Sequence, residues 1–107
     1  MTAAGDAGDV VRLVAIHPVE DYGRWKQVLD ETADDAAARG MLRRILYRSV
    51  DDPQEYLIAV DFRSRAAAEA VMLQGEQVQQ WLDRAGVTIY PATFLGTEIE
   101  CVEFDSG

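Results

Sequence analysis

The stretch His17-Pro18-Val19-Glu20-Asp21-Tyr22-Gly23-Arg24-Trp25 joins an apolar strand to an aromatic-studded helix, and the rest of the chain reads as cover for that corner. Pro18 disfavours helical geometry at His17 and so closes the strand in an extended conformation. Asp21 is placed to accept a hydrogen bond from the first free amides of the helix that follows. Upstream, Val10 to His17 carries apolar residues on both alternating faces: Val10, Val14 and Ile16 on one, Val11, Leu13 and Ala15 on the other. A strand of that kind has to be covered twice.

Downstream the period becomes helical. Tyr22, Trp25, Val28, Leu29, Thr32 and Ala36 form one stripe, with Lys26, Asp30, Glu31, Asp34 and Asp35 largely off it, and the helix is expected to run to Gly40 as a left-handed cap. Met41 to Val50 and Glu55 to Phe62 are rich in branched and aromatic residues and flank Asp51-Asp52-Pro53-Gln54, which predicts a hairpin. Ser64 can cap a second helix over Ala66 to Gln74, broken by Gly75. A third helix, about Glu76 to Ala85, shows Val78, Trp81, Leu82 and Ala85 on one face and ends at Gly86. Val87 to Pro91 is a connector, and Ala92 to Phe104 is expected as one long last strand.

The order strand, helix, strand, strand, helix, helix, strand predicts an α+β sandwich of the ferredoxin-like kind, an antiparallel sheet with its helices on one face. Three helices can cover only one side. Leaving the other wet would expose several large side chains, each worth about 1.5–3 kcal/mol when buried, so a second copy is expected to cover it, sheet against sheet.

Bulk properties narrow the function. The 107 residues make one domain, expected over 10–107 behind a disordered tail over 1–9 that lacks the basic start and apolar run of a secretion signal. Ten basic against 19 acidic residues give a net charge of -9, which repels phosphate backbones and anionic lipid, so no nucleic-acid partner is expected. No apolar segment approaches the roughly 20 residues that span a bilayer, so no membrane partner is expected either. Cys101 is alone, which fits a reducing compartment and a cytoplasmic home.

With these residues in view, the chain resembles the dimeric α+β barrel superfamily, and within it the small proteins grouped with antibiotic biosynthesis monooxygenases and polyketide-type cyclases. The likeness rests on the opening His17-Pro18-Val19-Glu20-Asp21-Tyr22-Gly23-Arg24-Trp25, on the Asp51-Asp52-Pro53 hairpin, and on Ala85-Gly86-Val87 followed by Pro91. It implies an intertwined homodimer and a pocket between each sheet and its own helices, and it names no substrate. Quinone-forming oxygenases of this superfamily use an Asn and a Trp near the substrate, and this chain has no asparagine, although Trp25 and Trp81 are present. Haem-degrading relatives use a helical His, whereas the sole His here ends a strand.

His17 is the one side chain whose ordinary pKa lies near neutrality, and it can serve as a catalytic base or as a structural residue beside Pro18. Tyr22, Trp25, Trp81, Met72 and Tyr90 are candidate walls for a flat hydrophobic or aromatic ligand, although core packing accounts for the first four as well. Tyr47, or alternatively Tyr90, is a candidate hydrogen-bond donor, Tyr47 to a developing enolate. Arg44 and Arg48 could hold a carboxylate or bridge to acids such as Asp61 and Glu100. The Asp30, Glu31, Asp34 and Asp35 cluster reads as a solvated helix face. One His, one distant Cys and scattered acids give no metal spacing, and no phosphate loop appears, so no cofactor is expected. The leading expectation is a cofactor-independent enzyme working by proton transfer as a cyclase, isomerase or lyase. The alternatives are a cofactor-free monooxygenase and a non-catalytic binding or stress-response barrel.

Overall fold

The computed structural model describes residues 10–87 and 91–105. β1 spans Val11–Pro18, α1 Tyr22–Thr32, β2 Met41–Arg48, β3 Glu55–Phe62, α2 Arg65–Met72, α3 Gly75–Ala85 and β4 Ala92–Gly96. This is the ferredoxin-like α+β sandwich that the sequence predicts. All pairings in the sheet are antiparallel, in the order β2-β3-β1-β4. The expected tail over 1–9 lies outside the described residues, as does part of the Val87 to Pro91 connector.

Register decides which side chains meet the helices. His17 lies opposite Tyr56, Ala15 opposite Ile58, Leu13 opposite Val60 and Val11 opposite Phe62. These alternate residues point to the helical layer, where two apolar clusters form. One gathers Val19, Trp25, Val28, Leu29, Tyr56, Leu82, Ala85 and Val87, with Trp81 packed against it, and the other centres on Val11, Phe62 and Ala68. The intervening residues Val14, Ile16, Ile45, Tyr47, Leu57, Ala59, Ala92 and Phe94 share the opposite, open face, because side chains alternate along every strand.

The helix ends follow the capping signals. The Asp21 and Ser64 side chains accept from the Arg24 and Ala67 amides, each at 3.1 Å. At Gly86 (φ 79°) the Val87 amide donates to the Leu82 carbonyl and the Gly86 amide to Asp83, the paired bonds of a Schellman cap. Arg24 reinforces that end: its Nε and Nη2 donate to the Arg84 and Asp83 carbonyls at 2.6 and 2.9 Å, which ties α1 to α3.

Three sequence expectations are corrected. The first helix ends at Thr32 rather than running to Gly40, because the Thr32 hydroxyl donates back to the Leu29 carbonyl and the chain tightens into a 3₁₀ turn over Ala33–Asp35. Gly40 keeps its left-handed role (φ 81°), closing a Schellman pair with Met41 on that irregular stretch. The last strand stops at Gly96 rather than Phe104, because β1 begins at Val11 and β4 has no neighbour to pair with beyond it. Asp61 is bound by Arg12 and Arg43, not by Arg44 or Arg48, since a register shift between Met41 and Arg43 places Arg43 opposite it. Arg44 faces the helices and reaches Asp30, which also holds Lys26; with Glu31 on Arg84 and Asp35 on Arg39, three acids of the solvated cluster are ion-pair partners.

Candidate functional site

Where β1 turns into α1, the layer between helix and sheet holds two polar side chains with nowhere to put a hydrogen bond. His17 is only 2% exposed and Trp25 is fully buried, yet among the described residues His17 Nε2 and Trp25 Nε1 have no partner. Buried polar atoms are almost always satisfied, and one left bare costs about 1–3 kcal/mol, so two side by side call for a functional account. The rings meet edge to face with centroids 5.6 Å apart.

The strand end explains how His17 is held. Its Nδ1 lies 3.3 Å from the Pro18 carbonyl, and that oxygen can only accept, so this contact selects the tautomer with the proton on Nδ1. Nε2 then carries a free lone pair. Burial pushes the His17 pKa below its ordinary value, the Pro18 contact opposing this more weakly, so the imidazole is neutral at physiological pH. Trp25, one helical turn beyond the Asp21 cap, offers an indole N–H donor beside that acceptor. The pair can therefore take a proton with one member and hold an oxygen with the other.

Tyr56 and Tyr22 complete the corner. Tyr56 packs on Trp25 with centroids 5.1 Å apart, and Tyr22 stacks on Tyr56 at 5.5 Å with 29° between the planes. Tyr22 was expected on the buried stripe; it is 48% exposed and lies over the cluster like a lid. Its outer side lines an open depression of about 570 Å³ along α1 with Gly23, Lys26, Gln27, Asp30 and Glu31. Tyr22 thus borders that outside groove and also touches the Trp25 and Tyr56 rings of the cluster.

The other sequence candidates fall elsewhere or at the margin. Trp81 packs, half-buried, against the same cluster from α3. Met72 is exposed at the end of α2 and belongs to neither cluster. Tyr47 lies opposite Leu57 and so projects from the open face, across the sheet from His17; the donor beside His17 is Trp25 instead. Tyr90 lies outside the described residues. Sequence reasoning missed Tyr56, which reads as one apolar residue of a strand until the antiparallel register sets it opposite His17.

On the open face, Asp61 is almost buried beneath two guanidiniums. Arg12 donates to it at 2.7 and 3.0 Å and Arg43 at 2.8 Å, and these bonds, Arg12's first, hold the carboxyl below its ordinary range against the opposing effect of burial. Among the described residues no group of three His, Cys, Asp or Glu side chains is arranged to hold a metal ion. Among the described residues no helix is long and apolar enough to cross a membrane.

Comparison with known proteins adds the fold's company. No protein-family model and no curated protein matches the chain. Among solved structures it is similar to a Bordetella bronchiseptica protein assigned to the antibiotic biosynthesis monooxygenases, at 18% identity and a TM-score of 0.69, over 86% of this chain and 99% of that one. It is also similar to SnoaB, a cofactor-independent oxygenase from Streptomyces nogalater, at 19% identity and a TM-score of 0.69, over 88% and 97% of the two chains. A Mycobacterium tuberculosis protein matches at 18% identity and a TM-score of 0.64, over 89% and 100%. The chain therefore shares the ferredoxin-like α+β fold of these antibiotic biosynthesis monooxygenase-like structures.

Proposed function

We propose that this protein is a cofactor-independent enzyme that removes a proton from an aromatic or polyketide-like small molecule held between α1 and the sheet. The supporting observation is the pair of buried, unpartnered nitrogens, His17 Nε2 and Trp25 Nε1. Neutral His17 takes the proton at Nε2, and the Trp25 N–H holds the substrate oxygen on which the enolate charge develops. Tyr56 and Trp81 wall the site, and Tyr22 moves aside for entry. The resulting carbanion closes a ring, shifts a double bond or expels a leaving group, the cyclase, isomerase or lyase outcome.

Two further readings have observations behind them. The shared fold with SnoaB favours an oxygenase, in which the same carbanion meets dioxygen. The fully buried Trp25 favours a packed, non-catalytic barrel. In each case the working form is a homodimer that covers the open face, where Ile16, Tyr47 and Phe94 are exposed, and the absence of any disulfide partner for Cys101 supports a cytoplasmic setting.

Deuterium exchange at the activated C–H of an anthrone or β-ketoester probe, followed by NMR in D₂O, tests the proposal. Wild type is expected to exchange at least about 100-fold faster than His17→Phe, with Trp25→Phe between them. Equal rates for wild type and His17→Phe refute the base assignment. Dioxygen uptake alongside exchange selects the oxygenase outcome, and failure to bind or exchange any probe selects the packed barrel.

A further inference from the structure

Among the described residues Arg48 is a cation without an acid. Of the ten basic residues, seven are held in ion pairs and Arg24 uses its guanidinium on the α3 carbonyls, which leaves Arg48 and Arg63. Arg63 lies beside Gly40, just past the end of β3. Arg48 stands in the row of the proposed base. β1 sets His17 opposite Tyr56 and β2 sets Arg48 opposite the same Tyr56, so the three residues cross the sheet side by side on the face turned to the helices. Neighbouring strands lie about 4.8 Å apart, which puts the Arg48 backbone about 10 Å from that of His17.

The row is held firmly. The Ser49 amide donates to the Glu55 carbonyl at 2.9 Å, and the Ser49 hydroxyl accepts from the Asp51 and Asp52 amides at 3.1 Å each, which fixes the turn that follows Arg48. The Val19 amide then donates to the Gln54 carbonyl at 2.6 Å and staples that turn to the corner behind His17. Acids are close in sequence, yet none is paired with Arg48: Glu55 takes the opposite face by alternation, and Asp52 accepts from the Gln54 amide at 2.9 Å. Arg44, the other guanidinium on this face of β2, lies opposite Val60, further along the sheet, and donates to Asp30 at 3.1 Å.

We infer that Arg48 is the anion-binding end of the site, holding a carboxylate of the substrate whose activated C–H lies at His17. The inference rests on the proposed function and narrows its substrate class to an aromatic or polyketide-like acid, with carboxylate and acidic carbon separated by the breadth of a fused-ring system. A guanidinium presents its N–H donors in a planar fork that meets both oxygens of a carboxylate. A chain of net charge -9 repels an anion at long range, so a carboxylate settles only where a cation is unpaired, and in this row that cation is Arg48. Arg48 is exposed, so the charged end of the substrate stays at the wet rim while the reacting end lies among the aromatic rings. Because hairpin and corner are already tied together, little ordering opposes the contact.

An anthrone carboxylate and its methyl ester test the inference, since they share the activated C–H and differ in charge. Tryptophan fluorescence gives Kd for each, and deuterium exchange in D₂O gives kcat and KM. Wild type is expected to favour the carboxylate about tenfold or more in Kd and KM. Arg48→Gln is expected to abolish that preference and Arg48→Lys to keep part of it. Arg65→Leu, which removes the same charge from the start of α2, should keep it whole. The preference should also shrink as salt rises. An ester bound as well as the carboxylate by wild type, a preference that survives Arg48→Gln, or binding of neither probe overturns the inference and leaves Arg48 a solvated surface charge only. A carboxylate that binds through Arg48 without exchanging supports the anchor and refutes the proton-transfer reading. Exchange of both probes with no preference supports that reading and refutes the anchor.

Discussion

Replacing His17 with Phe should make the protein more stable while abolishing the proposed proton transfer. In the native fold the imidazole gains one long contact, 3.3 Å from Nδ1 to the Pro18 carbonyl, and leaves Nε2 dry and bare. Relief of a buried, unsatisfied nitrogen is worth about 1–3 kcal/mol, against about 0.5–1 kcal/mol for the lost contact, and a Phe ring keeps the edge-to-face packing on Trp25. The net gain is about 1 kcal/mol at pH 8, or about 4–8 °C in Tm for a domain of this size. The gap should widen in acid. Because burial lowers the His17 pKa in the folded state, the unfolded chain binds the proton first; the wild-type contribution is intact above pH 6.5 and erodes as pH falls from there through the folded value. Over that window the wild type loses up to about 1.4 kcal/mol per pH unit relative to the Phe variant. Urea unfolding followed by tryptophan fluorescence, at one protomer concentration and at pH 8, 6.5 and 5.5, measures both effects. A Phe variant that is less stable by 1 kcal/mol or more at pH 8, or that keeps the wild-type pH slope, would show that His17 is satisfied in the fold and is not a held-back base.

Two other substitutions probe the frame around the site. Asp61→Asn should cost about 1–3 kcal/mol at pH 7 by weakening its bonds to Arg12 and Arg43; because the Asp61 pKa is lowered in the fold, its contribution is present above about pH 3.8 and lost below, so acid titration of the variant should lack that component. Gly40→Ala should cost about 2–4 kcal/mol in urea unfolding, since φ is 81° and a Cβ there would sit 2.9 Å from the Ala67 Cβ, whereas Gly75→Ala meets nothing within 4 Å and should leave stability unchanged or raise it by up to about 1 kcal/mol.

Much of this frame was legible in the residues because it is set by local rules. Asp21 and Ser64 cap as their positions dictate, Gly40 and Gly86 take the left-handed conformation, and Asp51-Asp52-Pro53-Gln54 turns a hairpin. What local rules could not supply was register. The bulge at Leu42 decides that Arg43 rather than Arg44 meets Asp61, and the pairing of β1 with β3 decides that Tyr56 stands beside His17 while Tyr47 does not. The last strand was misjudged for a related reason: a segment with strand chemistry becomes a strand only where a neighbour offers hydrogen bonds. His17 and Trp25 were visible as residues, but their bare nitrogens are properties of packing.

The Arg24 guanidinium has a mechanical meaning. By filling the carbonyls at the tail of α3, it riveted the first helix to the third, so neither can swing away from the sheet without the other. A guest that needs room beside His17 must then lift a two-helix plate as a whole or slip in past a single side chain at its rim. If the proposed function holds, the second route disturbs one side chain where the first disturbs two helices, so the breadth of a guest, more than its length, would limit its entry.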